Sequence, residues 1–93
     1  MTYEVLLLPP ARKDLLGLPR KVRDLVIQHL RALETDPRPT GSESMTGDQR
    51  GRWKLRVGDY RVVYTIEDRV LVVEVIVVAH RSRVYAIAAR RRG

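Results

Sequence analysis

The chain has 93 residues, enough for one hydrophobic core and too few for two, so a single domain over residues 1–93 is expected. Hydrophobic residues make up 44% of it and charged residues 31%, a balance that belongs to a folded domain and excludes a disordered polar tail. The 18 Lys and Arg against 11 Asp and Glu leave a formal net charge of +7, which favours a polyanionic partner, nucleic acid first among them.

Residues 3–8 form a short, apolar, β-compatible run that stops at Pro9 and Pro10, which have no N–H to give a sheet. The same N-terminus lacks a basic segment followed by a long apolar one, so no signal peptide is expected. Ala11, Leu15 and Leu18 then recur at helical spacing, predicting a first helix over residues 11–18 that ends before Pro19. Pro19 suits the first position of a second helix, where its missing N–H costs nothing. In that helix Val22, Leu25, Val26, Leu30 and Leu33 make one apolar stripe, with Arg20, Asp24, Gln28 and Arg31 on the solvent side and His29 at the stripe's edge. An antiparallel helix hairpin follows from the short connection.

Asp36, Pro37, Arg38 and Pro39 end the second helix. The segment through Gly51 is polar, rich in glycine, and long for a connection without secondary structure, with Met45 as its one anchor. Beyond it the periodicity changes to two. Residues 52–57 and 60–67 alternate, and Gly58-Asp59 is a two-residue hairpin signal. Pairing Val57 with Tyr60 puts Trp53, Leu55, Val57, Tyr60, Val62, Tyr64 and Ile66 on one face, the core face. Arg52, Lys54, Arg56 and Arg61 then gather on the other face with Val63 and Thr65. Like charges directly opposed, as Arg56 and Arg61 are, destabilise a sheet unless an anion lies between them.

A second tight turn at Asp68-Arg69 leads into residues 70–79, an apolar run interrupted by Glu74 and too short to cross a bilayer. Continued alternation puts Leu71, Val73, Val75 and Val77 on the core face, and Val72, Glu74, Ile76, Val78 and His80 on the basic face. The basic face is therefore partly apolar, which calls for a cover, either a partner helix or the chain's own C-terminal segment. Strict alternation also sends Arg81 toward the core, so a strand end or bulge near His80, or a one-residue register change, is required. Residues 83–92 close the chain as a short helix or basic tail. The expected fold class is α+β: an N-terminal strand, a two-helix hairpin, then a three-stranded antiparallel meander forming one sheet packed on the helices.

Several segments together resemble the RelE/ParE toxin superfamily across nearly the whole chain. They are Ala11-Arg12-Lys13-Asp14-Leu15, Leu18-Pro19, Asp36-Pro37-Arg38-Pro39 with Gly41, Leu55-Arg56-Val57-Gly58-Asp59-Tyr60-Arg61-Val62-Val63-Tyr64, and His80-Arg81 followed by Val84-Tyr85. The resemblance implies a toxin restrained by a cognate antitoxin in the cytoplasm, with no membrane partner. Its RelE-like branch contains ribosome-dependent ribonucleases, whereas ParE-like members act on DNA gyrase. Lys54, Arg61, Arg81 and Tyr85 match positions that carry activity in the ribonucleases. Arg52 stands where a second lysine is often found, and it keeps the charge while giving up a group able to deprotonate.

RNA is cut without metal when its 2′-hydroxyl attacks the adjacent phosphate, leaving a cyclic phosphate and a free 5′-hydroxyl. The protein must supply a base, positive charge for the transition state and support for the leaving oxygen. With no cysteine there is no cysteine-based metal site, and with two histidines, one of them on the helix hairpin, a paired-histidine mechanism is not expected; the expected site uses no metal and no cofactor. Two groups compete for the base. Crowding by Arg52, Arg56 and Arg61 disfavours the charged form of Lys54, and His80 is an imidazole suited to neutral pH. Arg61 is the expected clamp on the phosphate oxygens, Arg81 the support for the leaving oxygen, and Tyr85 a stacking or orienting group. Arg52 and Arg56 are further expected RNA contacts on the sheet. Arg12, Lys13, Arg20, Arg23 and Arg31 on the helices are expected to touch ribosomal RNA and to hold the basic face on mRNA in the decoding site. The alternatives are a ParE-like gyrase inhibitor without nuclease activity and a non-catalytic RNA-binding module.

Overall fold

The computed structural model describes residues 1–92. The first apolar run is strand β1 (Glu4–Leu7), and helix α1 (Pro9–Leu16) follows at once. The two prolines do not merely stop the strand. They occupy the first helical positions, where no hydrogen bond is missed, so α1 starts and ends two residues earlier than its apolar spacing predicts. Helix α2 (Arg20–Ala32) begins just after Pro19, which caps it and whose carbonyl accepts from the Arg23 N–H. Val26, Leu30 and Leu33 are fully or nearly fully buried as the stripe requires, while Leu25 is left 41% exposed.

The glycine-rich segment carries two short elements that its composition hides, strand β2 (Ser42–Ser44) and a single 3₁₀ turn (Gly47–Gln49). The expected meander follows as β3 (Arg52–Val57), β4 (Tyr60–Glu67) and β5 (Val72–His80), and helix α3 (Val84–Arg90) closes the chain. One sheet results, in the order β1-β5-β4-β3-β2, with β1 parallel to β5 and the other neighbours antiparallel. Leu55, Val57, Val62, Tyr64, Val73, Val75 and Val78 pack on one face against Ala11, Leu15, Val26, Leu30 and Leu33 of the helix hairpin. On the other face Val63, Ile76, Val77 and Ala79 meet Met45 and, from α3, Val84 and Ala88. The cover demanded by the apolar half of the basic face is thus the chain's own C-terminal helix.

The β3–β4 register is as the hairpin signal predicts, Val57 with Tyr60 and Arg56 with Arg61, and Gly58 takes φ +59 at the turn. The next reversal is longer than predicted. Glu67 pairs with Val72, leaving residues 68–71 in the turn and Leu71 at φ 55. That two-residue addition preserves the parity of the strand. What changes it is an irregularity: Tyr64 pairs with Val75 but Val63 pairs with Val77, so Ile76 is an extra residue in β5. Beyond it Val78 and His80 lie on the helix face, opposite Val62 and Tyr60, while Val77 and Ala79 lie on the basic face. The expected placement of Val77, Val78 and His80 is corrected accordingly, and the conflict over Arg81 disappears.

The tip of the β4–β5 hairpin is tied to the residue before β1 and to the connection that follows α2. Asp68 accepts from Tyr3 Oη at 2.6 Å and from both terminal nitrogens of Arg38, whose guanidinium also stacks over Trp53 at 5.3 Å. The Arg38 and Tyr3 hydrogen bonds hold the Asp68 carboxyl below the ordinary carboxylate range. Tyr64 is fully buried and donates to the Pro37 carbonyl at 2.8 Å, and burial pushes its hydroxyl up to about 12.

Candidate active site

The parity of β3 and β4 puts Lys54 and the opposed pair Arg56 and Arg61 on one side of the ribbon. They line an open cleft of about 560 Å³ together with Gly41, Ser42, Glu43 and Tyr85. Three elements contribute. β2 pairs with β3 so that Glu43 is the direct neighbour of Lys54, and α3 brings Tyr85 over from the other side. Lys54 Nζ donates to Tyr85 Oη at 3.0 Å and lies 5.3 Å from the centre of its ring. Tyr85 is 48% exposed, a large aromatic left at the mouth of a cationic cleft.

Arg61 is held by its own turn, with Nη1 donating to the carbonyls of Gly58 and Tyr60, each at 2.9 Å. This fixes the plane of the guanidinium while its second terminal nitrogen makes no protein hydrogen bond among the described residues. Arg81 lines an adjoining recess of about 420 Å³ with Arg56, Gly58, Asp59 and Arg61. Its N–H donates to the Asp59 carbonyl, so the residue following β5 is pinned beside the β3–β4 turn. Lys54, Arg56, Arg61, Arg81 and Tyr85 are thereby gathered along one side of the sheet.

Two expectations are corrected by position, and the helix cations lie where their helices put them. His80 is not in this cleft. The extra residue at Ile76 turns it to the helix face, where its ring meets Tyr60 edge-on at 5.5 Å and its Nδ1 contacts the Ser82 hydroxyl. There it lines a separate cavity of about 340 Å³ with Lys13, Asp14 and Arg83. Arg52 is also absent from the cleft lining: its guanidinium donates to Gln49 Oε1 and to the carbonyls of Ala88 and Arg91. Arg12, Lys13, Arg20, Arg23 and Arg31 sit on the helix layer that packs on the opposite face, apart from the cleft.

Glu43 was hidden from sequence reasoning because it falls in a stretch read as a polar connection. The available signal was slight, a Ser-Glu-Ser step just before the buried Met45. In the cleft it is the sole carboxylate of the lining, an acceptor among donors. The set offers a proton acceptor, a fixed guanidinium, further positive charge and a phenol, which are the parts needed to handle a phosphodiester.

Comparison with known proteins agrees with the fold. The family model described as the ParE toxin of a type II toxin–antitoxin system, parDE, matches residues 5–85. The chain belongs to the RelE/ParE toxin superfamily. Toxin RelE of Mycobacterium tuberculosis (strain ATCC 25618 / H37Rv) is 36% identical over 84 residues, covering 89% of this chain and 86% of the relative. Among solved structures, the M. tuberculosis toxin–antitoxin complex RelBE2 superposes with a TM-score of 0.79 at 28% identity, covering 87% of this chain and 100% of the other. A mutant of E. coli toxin RelE in the free state gives 0.75 at 30% identity, covering 97% of both chains. As a RelE/ParE member the protein is a toxin of the type II toxin–antitoxin class, and no helix among its described residues is long and apolar enough to cross a membrane.

Proposed function

We propose that the protein is a metal-independent endoribonuclease that cuts translated mRNA on the ribosome in the cytoplasm and is held in check by an antitoxin. The observation that carries this reading is the Lys54–Tyr85 hydrogen bond spanning a cleft that also holds Arg56, Arg61 and Glu43. A surface made only to dock on a protein has no need to gather a lysine, two arginines, a carboxylate and a phenol around one opening. The relatives crystallised with antitoxins support the partner, and an acidic antitoxin segment would complement a chain of net charge +7.

In the proposed reaction the 2′-oxygen bonds to phosphorus, the bond from phosphorus to the 5′-oxygen breaks, and a 2′,3′-cyclic phosphate and a 5′-hydroxyl result. In place of Lys54 as the base, Lys54 in contact with Tyr85 supplies positive charge, and the 2′-hydroxyl proton passes to the Glu43 carboxylate of the same lining. Tyr85, with its oxygen already accepting from Lys54, presents its own proton to the substrate and orients the attacking hydroxyl. Arg61 meets the developing charge on the non-bridging oxygens with a guanidinium that needs no reorganisation. Arg81 supports the departing 5′-oxygen from the adjoining recess, and that oxygen takes its proton from solvent. The exposed helix cations Arg12, Lys13, Arg20 and Arg31, with Arg23, are assigned to ribosomal RNA from the opposite layer.

The family model is described for ParE, which favours a second reading, an inhibitor of DNA gyrase without chemistry of its own. Induced expression of the wild type and of Arg61→Ala separates them. The nuclease reading expects growth arrest with new mRNA 5′ ends for the wild type and neither for the variant. Arrest with intact messages and accumulating broken DNA would move the assignment to gyrase.

A further inference from the structure

Helix α3 has seven residues, too few to persist in water on its own propensity, and it buries only Val84 and Ala88 fully, with Ile87 partly. Yet it must hold Tyr85, next to Val84 at its N-terminal end, steady over Lys54. Its C-terminus is where the polar anchoring lies. Arg52 Nη1 donates to the Ala88 carbonyl at 2.7 Å and to Gln49 Oε1 at 2.7 Å, and Arg52 Nη2 donates to the Arg91 carbonyl at 2.5 Å. One guanidinium thus bridges the last turn of α3, the residue after it and the 3₁₀ turn. A cation there also complements the carbonyl end of the helix dipole. A second guanidinium works from the other side. Arg91 makes a two-pronged ion pair with Asp14 of α1, at 2.5 and 3.1 Å, and donates to the Ile76 carbonyl at 3.1 Å. The side chains of this pair are only 24% and 17% exposed.

We propose that Arg52, although it belongs to the cationic row of β3, is a positioning residue that acts on catalysis through α3 and Tyr85, with the Arg91–Asp14 pair as its counterpart. The proposal rests on the nuclease reading of the cleft. Arg52 commits three of its donors to protein acceptors, so its part is to hold α3 rather than to meet RNA, and its removal frees the helix that carries Tyr85. Lysine at this position is a poor replacement, because a single ammonium on a flexible stem does not reproduce a planar fork serving three acceptors.

The test uses the full chain with ribosomes programmed with a defined mRNA, comparing Arg52→Ala, Arg52→Lys and Arg91→Ala, each also combined with Tyr85→Phe. The expected result is a fall in kcat of about 10²-fold for Arg52→Ala, with KM and its salt dependence unchanged, since small misplacements of a reacting group cost about that much. Arg91→Ala should fall in the same direction and Arg52→Lys recover part of the loss. In the Tyr85→Phe background the Arg52 substitution should change the rate less than about twofold, because its effect passes through the lost hydroxyl. Amide hydrogen exchange over residues 84–90, read without RNA, should accelerate in Arg52→Ala and Arg91→Ala. A raised KM with a salt slope lowered by about 0.7, the signature of one lost phosphate contact on a single strand, would overturn the proposal. So would multiplicative losses with Tyr85→Phe, or unchanged exchange in α3. Failure of the wild type to cut the mRNA would instead remove the nuclease reading, whatever the exchange shows.

Discussion

The two faces of the sheet are built from the same strands and obey opposite rules. The helix face is closed: Leu55, Val62, Tyr64, Val73 and Val75 are at most 2% exposed and pack with apolar residues of α1 and α2, the Tyr64 hydroxyl alone reaching a carbonyl, that of Pro37. The other face is half closed, with α3 lying over Val63, Val77 and Ala79 and an open cationic cleft over Lys54, Arg56 and Arg61. Substitution on the first face should be read in stability and on the second in chemistry. The boundary between them is drawn by the extra residue Ile76, which exchanges the faces of every later position in β5.

Leu55→Ala puts the largest demand on this division. It should lower unfolding free energy by about 2–5 kcal/mol, read by denaturant titration, while the folded fraction keeps its activity. Arg61→Ala should do the reverse, leaving the denaturation midpoint nearly unchanged and lowering mRNA cleavage by about 10²–10³-fold, as loss of a fixed transition-state donor does. Tyr64→Phe strands the Pro37 carbonyl in a buried site and should cost about 1–3 kcal/mol without touching activity. The same hydroxyl gives an alkaline limit. Its folded pKa of about 12 lies above that of an unfolded tyrosine, so its contribution is complete below about pH 10 and is lost as pH climbs from there toward 12. Tyr64→Phe should flatten stability across that window.

The smallest effect belongs to Asp68. Its folded pKa is depressed, so its contribution is present above the unfolded carboxylate value and is lost as pH falls through the folded one. Asp68→Asn should therefore weaken the acid dependence of stability without altering the cleft. Its carboxylate is at the surface, and salt should reduce the difference between the two proteins.

Much of this was legible in the chain because half-buried strands write their faces into the alternation of residues. Trp53, Leu55 and Val57 against Lys54 and Arg56 fix β3, and Gly58-Asp59 fixes its register with β4. β5 is where that reading ends. Every residue from Val75 to Ala79 is apolar, since α3 covers one face as the helix hairpin covers the other, so no alternation marks the extra residue. The cost was a misplaced His80 and an Arg81 without an obvious route to the basic face. β2 was lost for a different reason. It has three residues, none of them buried, and only its pairing with β3 makes it a strand and brings Glu43 to Lys54. Arg52 shares its parity with Lys54 and Arg56, and nothing local shows that the carbonyls of a helix some 36 residues onward will claim it.

A direct measurement sets the two sides of β5 against each other: mapping of cleaved mRNA ends on programmed ribosomes with Arg61→Ala and His80→Ala. The basic face as reaction centre predicts that Arg61→Ala loses nearly all cleavage, while His80→Ala still yields 5′-hydroxyl and cyclic-phosphate ends at close to the wild-type rate. Cleavage abolished by His80→Ala and retained by Arg61→Ala would place the chemistry on the helix face and contradict the account.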